Sequence, residues 1–196
     1  MFALKTKRLR LIALDAANLR LSLDDPELLE SNLGLHKGHA AVSEEVRPAV
    51  QQMLDGAVRD AEHSLWYTHW LIVLKHHRSV AGGLCFKGPP GCCGEVEIGY
   101  GVSAEYQNRG VMTEALHAAC NWALQQAGVS AVLAETEKVN LPSQRVLEKT
   151  GFGPFRETET MRWWRLERAG ERTGSRSRSQ GSGAVPAQSP ERGEST

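Results

Sequence analysis

The sequence predicts a mixed α/β protein with a mostly antiparallel central sheet flanked by helices. Two observations carry this. Residues 66–74, 80–86 and the run beginning at Glu95 are rich in strand formers and joined by short turns, and strands so joined form an antiparallel meander. The third run then passes through a turn into a helix-period segment and a further strand, and a helix between two strands makes them parallel neighbours.

In chain order, residues 4–14 (LKTKRLRLIAL) are expected as the first strand. Asp15 offers an N-cap for a short helix, and Asp25-Pro26-Glu27 starts a second with proline in its first turn. Residues 34–42 read as a glycine-punctuated loop. Ser43 is expected to cap a longer helix with Val46, Val50, Met53, Ala57 and Ala61 on one face, and Glu44 and Glu45 at its positive end. Trp66 to Leu74 is the next strand, His76 to Ser79 turns it into Val80–Phe86, and a Pro/Gly loop over 87–94 leads to the central strand. There Glu95, Glu97 and Gly99 alternate with Val96, Ile98 and Tyr100, the period of a strand.

The helix that follows carries Val111, Met112, Ala115, Leu116, Ala119, Trp122 and Ala123 around most of its circumference. Glu114, His117, Asn121 and Gln125 form a narrow polar stripe, so the helix is expected to be largely buried. Gly128 is placed as its C-terminal cap and Val129 to Thr136 as a strand. Asn140 caps a helix with Pro142 in its first turn, which runs to Thr150 and ends at Gly151. Phe155 to Leu166 is the expected last strand. Residues 1–168 thus form one domain. Residues 169–196, almost free of apolar side chains, are expected as a disordered Ser/Gly/Arg-rich tail.

Composition narrows the function. Lys plus Arg and Asp plus Glu are equal at 23 each, so no global field points to nucleic acid or a membrane surface. The N-terminus lacks a signal-peptide pattern, and no apolar run approaches the ~20 residues of a membrane span. A soluble, cytoplasmic protein is expected. Cys85, Cys92, Cys93 and Cys120 show no paired C-x-x-C spacing, and neighbouring His76 and His77 have no third ligand nearby, so no metal is expected.

Between central strand and helix lies Gln107-Asn108-Arg109-Gly110-Val111-Met112-Thr113. A helix N-terminus presents unpaired N–H groups and partial positive charge, and a glycine there lets a ligand approach the main chain. Such a junction suits a phosphate or pyrophosphate, although neither the P-loop nor the G-x-G-x-x-G spelling is present.

The run EIGYGVSAEYQNRGVMTEAL resembles the acetyl-coenzyme A binding core of the GNAT N-acetyltransferases. Gln107, Gly110 and Met112 stand at the marked positions of that family's Q/R-x-x-G-x-G/A loop, with Met112 departing from Gly/Ala. YQNRGVMTEAL is close to the spelling in the branch resembling ribosomal-protein N-terminal acetyltransferases, and Asn140…Ser143 followed by Gly151-Phe152 matches a second family segment.

The resemblance implies a splayed parallel strand pair with the pantetheine of acetyl-coenzyme A in the split. Its amides would bond near Tyr100, Gly101 and Val102, its pyrophosphate would lie on Gln107 to Thr113 (Asn108, Arg109 and Val111 included), and Asn140 and Ser143 would touch its arm. It implies direct transfer of the acetyl group to a primary amine, of a small molecule or of a protein N-terminus, with no metal. A homodimer is compatible with it. Early helices and the loop carrying His36 and His39 would line the acceptor pocket.

Glu97 is the first choice as general base and Glu95 the second, both expected on one face of the strand at its end near the turn; a carboxylate works as a base at neutral pH only where desolvation strengthens its hold on the proton. Leu147 occupies the position of the tyrosine that many relatives use as an acid. A non-catalytic acyl-coenzyme A sensor and a generic phosphate-binding or oligomerisation module are the other classes open at this point.

Overall fold

The computed structural model describes residues 1–36, 40 and 42–168. Residues 37–39 and 41 of the expected glycine loop, His39 among them, and the tail from residue 169 lie outside the described residues. Eight strands form one sheet in the order β1-β2-β3-β4-β5-β6-β8-β7: β1 Ala3–Lys5, β2 Leu9–Ala13, β3 His69–Leu74, β4 Ser79–Phe86, β5 Glu95–Val102, β6 Ala131–Glu137, β7 Gly153–Glu157 and β8 Met161–Glu167. Among the described residues only β5 and β6 pair in parallel; every other neighbouring pair is antiparallel. The helices are α1 Ala16–Asp24, α2 Pro26–Leu33, α3 Arg47–Arg59, α4 Val111–Gln125 and α5 Leu141–Lys149.

Two stretches expected as single strands are hairpins, for the same reason. In the first, the Thr6 N–H donates to the Leu9 carbonyl at 3.0 Å and the Leu9 N–H to the Thr6 hydroxyl at 2.9 Å, closing a turn between β1 and β2. In the second, the Thr158 N–H donates to the Met161 carbonyl at 2.9 Å and the Met161 N–H to the Thr158 hydroxyl at 3.2 Å, between β7 and β8. A threonine hydroxyl offers the backbone a local partner that competes with the ladder, and alternation runs on through both turns.

Three boundaries also differ from expectation. Ser43 holds the turn before α3 with its carbonyl, which accepts from the Val46 and Arg47 N–H groups at 3.0 Å each. The helix itself begins at Arg47 with Pro48 in its first turn, where a fixed φ and a missing N–H cost nothing. At the end of α4, the Gln126 side chain donates to the Trp122 carbonyl at 2.8 Å while its own backbone is extended. Gly128 (φ 78°) serves the turn into β6 instead of capping the helix. Before β3, Ser64–Trp66 forms a 3-10 turn.

The sheet buries both faces over its first half. On one side α4 packs Val111, Ala115, Leu116, Ala119 and Ala123 against Trp70, Ile72, Leu84, Phe86, Val96 and Ile98. Trp66, Trp70, Phe86 and Trp122 form an aromatic cluster there, with centroids 4.8–6.4 Å apart. On the other side α1, α2 and α3 cover Ile12, Leu71, Val73 and Val80. No helix among the described residues is long and apolar enough to cross a membrane.

Candidate functional site

The parallel pair is short. Glu95, Val96 and Glu97 pair with Ala131, Val132 and Leu133, and there the ladder stops. Beyond it β5 runs on to Val102 against β4, while β6 runs to Glu137 against β8. The strands splay, and the β5 edge from Ile98 onward faces a gap with its backbone groups unmatched by β6, as an open sheet edge does. The gap is a cleft of about 600 Å³ lined by Tyr100, Gly101 and Val102 of β5, Gln107, Asn108, Gly110, Met112 and Thr113 at the start of α4, and Asn140 and Ser143 of α5. Arg109 and Val111 lie in the same turn without lining it. Val111 is buried in the core.

At the head of α4 the main chain is arranged for an anion. Asn108 (φ 58°) and Gly110 (φ 70°) are both left-handed, which turns the chain sharply into the helix. No side chain caps α4. The first helical hydrogen bond runs from the Glu114 N–H to the Gly110 carbonyl at 3.1 Å, so the N–H groups of Val111, Met112 and Thr113 are left to a ligand or solvent. Glu114, in this first turn, would repel an anion, but it is neutralised from the turn between β1 and β2. The Thr6 hydroxyl donates to it at 2.6 Å, the Arg8 N–H at 2.8 Å and the Arg8 Nε at 2.6 Å. Partial burial works to raise the pKa of this carboxyl; those donors outweigh burial and hold it below the ordinary glutamate range. Arg8 Nη1 also donates to the Arg109 carbonyl at 2.9 Å, fastening the loop.

Across the cleft, Asn140 caps α5 by accepting the Ser143 N–H at 3.1 Å. The Tyr100 hydroxyl lies 2.7 Å from the Ser143 hydroxyl, bridging β5 to α5. Burial pushes the Tyr100 phenol up to about 12. Leu147 is fully buried under α5.

Glu95 and Glu97 occupy the opposite end of β5 from the one expected. They begin the strand, at the closed end of the split. Five residues, about 16 Å of strand, separate Glu97 from Val102. The reading placed them near the turn because alternation fixes a face and says nothing of which strand end meets the ligand. They share the sheet face away from α4, beside a second cleft of about 410 Å³ lined by Lys87, Pro89, Gly91, Cys92, Cys93, Val96 and Leu133 as well. Glu97 is ion-paired with Lys87, which also reaches Glu135 at 3.1 Å. Burial opposes the charge on Lys87, but the two carboxylates outweigh it and raise the lysine pKa. Glu95 is ion-paired with Arg165, which also holds Glu167 at 3.0 Å.

His36 is exposed, and its N–H donates to the Arg78 carbonyl at 2.9 Å. Cys92 and Cys93 are exposed in a turn closed by the Gly94 N–H and the Gly91 carbonyl, and Cys120 is buried. Among the described residues no group of His, Cys, Asp or Glu gathers to hold a metal.

Sequence reading missed several residues here. Thr6 and Arg8 lie more than a hundred positions from the loop they fasten, with no local signal. Tyr106, Pro142, Arg145, Val146 and Lys149 also line the main cleft. Arg145 and Lys149 were readable as a cationic i, i+4 pair on the helix that Asn140 starts. His69, considered below, was read only as a strand residue.

The comparisons with known proteins agree with this geometry. The acetyltransferase (GNAT) domain family matches residues 8–153. The chain is 30% identical over 152 residues to an uncharacterized N-acetyltransferase, YjdG, of Bacillus subtilis, covering 78% of this chain and 90% of that protein. Among solved structures it resembles the ribosomal-protein-S5-alanine acetyltransferase of Vibrio fischeri, with a TM-score of 0.63 at 16% identity over 85% of this chain and 97% of that one. It also resembles RimL, a ribosomal L7/L12 α-N-protein acetyltransferase solved with coenzyme A, with a TM-score of 0.59 at 18% identity over 85% and 98% of the two chains. The family match spans most of the chain and includes the split strand pair with its loop: the protein belongs to the GNAT acetyltransferase family.

Proposed function

We propose that the protein transfers an acetyl group from acetyl-coenzyme A to a primary amine, either of a small molecule or of a protein N-terminus. The observation that carries this is the path of the split. It runs from an anion cradle at the head of α4, along an unpaired strand edge, to a closed vertex at Glu97 and Leu133. An extended arm with phosphates at one end and a thioester at the other suits that path. The N–H groups of Val111, Met112 and Thr113 would receive the pyrophosphate. Arg145 and Lys149 would add positive charge, the β5 edge at Tyr100–Val102 would bond the pantetheine amides, and Asn140 and Ser143 would face the arm from α5. The ribosomal-protein acetyltransferases among its structural neighbours favour a protein α-amine as one acceptor class.

In the reaction, the neutral amine attacks the thioester carbonyl, the C–S bond breaks as the N–C bond forms, and the amine proton passes to a base. Glu97 serves as that base, directly or through a water, because it stands at the vertex where the arm ends. Glu95 is one turn of the pleat further from the split and is ion-paired with Arg165, which it shares with Glu167. Tyr100, protonated at neutral pH, is a phenol lining the cleft that would serve in place of one at Leu147. A non-catalytic acyl-coenzyme A sensor is the second reading; the pairing of Glu97 with Lys87 and the leucine at 147 favour it.

Calorimetry with acetyl-coenzyme A tests the cradle. Gly110→Asp adds an anion and strains a left-handed position, so affinity falls at least tenfold in a folded variant; unchanged affinity contradicts the proposal.

A further inference from the structure

On the sheet face away from α4, β4 and β5 carry only small residues next to the split. Gly83 of β4 stands opposite Gly101 of β5, and Cys85 stands opposite Gly99. On this face the three glycines expose main chain, with only Cys85 between them. His69, the first residue of β3, lies on the same face, opposite Cys85 and diagonal to Gly83. Its ring is laid over Gly83: a Cβ added there would collide with the imidazole Nε2. Glycine at 83 is thus what lets the ring lie across the strip toward β5. Two strand spacings, about 10 Å, separate β3 from β5, and the ring spans part of that distance.

The imidazole packs over Gly83 through its Nε2 edge. Nδ1 is enclosed and has no hydrogen-bond partner among the described residues. Burial lowers the imidazole pKa to about 4, so the ring is neutral at physiological pH and carries one lone pair able to accept a hydrogen bond. A buried polar group with no protein partner calls for an explanation, and the other ring nitrogen, Nε2, lies over Gly83 in the strip that leads at Gly101 into the main cleft.

The geometry points to His69 as an acceptor-binding residue, its imidazole hydrogen-bonding the incoming primary amine as the amine lies on the Gly83–Gly99–Gly101 strip beside the split. This rests on the acetyl-transfer reading above and adds to it where the acceptor lies. The amine would then meet the thioester from the face away from α4, the face that also carries Glu97. His69 positions the amine nitrogen and accepts one of its N–H bonds; proton removal remains with the carboxylate.

The test uses the full chain with acetyl-coenzyme A and a panel of a linear diamine and short peptides with free α-amines. His69→Phe keeps an aromatic ring and removes the nitrogens. It is expected to raise KM for the best amine of the panel at least tenfold while leaving acetyl-coenzyme A affinity unchanged. His69→Gln, which retains an acceptor, recovers part of the loss. Gly83→Ala, which displaces the ring without altering it, reproduces the His69→Phe effect. In the wild-type protein, the imidazole ¹⁵N signal of His69 shifts on adding that amine with coenzyme A bound. Equal amine KM in wild type, His69→Phe and Gly83→Ala, or an unmoved imidazole signal, overturns the assignment of His69. A wild-type protein that binds acetyl-coenzyme A yet acetylates no amine of the panel overturns instead the reading on which it rests.

Discussion

Glu97 and Glu95 separate the two chemistries that one strand face can hold. Both are ion-paired, but Glu97 meets a lysine on a long flexible stem at the vertex of the split, whereas Glu95 is tied to Arg165 along with Glu167. Glu97→Gln keeps shape and removes basicity, so turnover is expected to fall roughly 10²-fold or more with acetyl-coenzyme A affinity unchanged. Glu95→Gln should cost far less, and steady-state kinetics on the two variants with the same amine checks the order. The residue types were legible in the sequence from alternation. Their partners Lys87 and Arg165 were not, because those come from two other stretches of chain brought together by the sheet.

His69 supplies a second test at this scale. Its pKa of about 4 lies below the ordinary value of 6.5. Between these values the unfolded chain binds the proton and the folded protein does not, so this contribution to stability is fully present above about pH 6.5 and is lost as pH falls toward 4. The loss between pH 7 and pH 5 is expected on the order of 2 kcal/mol. Urea unfolding of wild type and His69→Phe at both pH values measures it: the wild type should lose more stability than the variant, and parallel losses contradict the burial argument.

The elements were read well where a single physical signal decided them. The long apolar α4, the parallel neighbour that a crossover helix requires and the Asn140 cap all followed from local pattern. The two Thr-hinged hairpins escaped because their hydroxyls replace a turn signal that glycine or proline would have announced. The clamp on α4 escaped because it is made in three dimensions. That clamp predicts a coupling. Arg8→Met removes the cationic partner of Glu114 beside the proposed pyrophosphate site and is expected to weaken acetyl-coenzyme A binding roughly tenfold. Adding Glu114→Gln should restore most of the affinity if charge neutralisation is the role of Arg8. Calorimetry on the double-variant cycle decides it, and a double variant as weak as Arg8→Met alone contradicts this role.

At the scale of the molecule, the chain up to Arg168 is closed on itself. The Arg168 N–H donates to the Ser130 carbonyl and its guanidinium to the carbonyls of Gln126 and Val129. Truncation after Arg168 is therefore expected to leave melting temperature and acetyl-coenzyme A affinity unchanged, and differential scanning calorimetry would reveal a fall of several degrees if residues 169–196 contribute to the fold. Fold class was legible because two motifs, the anion loop and the Asn140–Phe152 segment, stand in order around one crossover unit. The proposed acceptor strip was not, because its glycines and the histidine over Gly83 lie on three strands whose register no local pattern sets.

The central claim is acetyl transfer to a primary amine, and one assay addresses it most directly. Acetyl-coenzyme A is incubated with the protein and a panel of peptides and small primary amines, free thiol release is followed, and the amines are weighed by mass spectrometry. Thiol release in step with an acetyl group gained by at least one amine is expected, and it falls in Gly110→Asp at the same acetyl-coenzyme A concentration. Tight acetyl-coenzyme A binding with no thiol release on any amine would contradict it and leave a sensor.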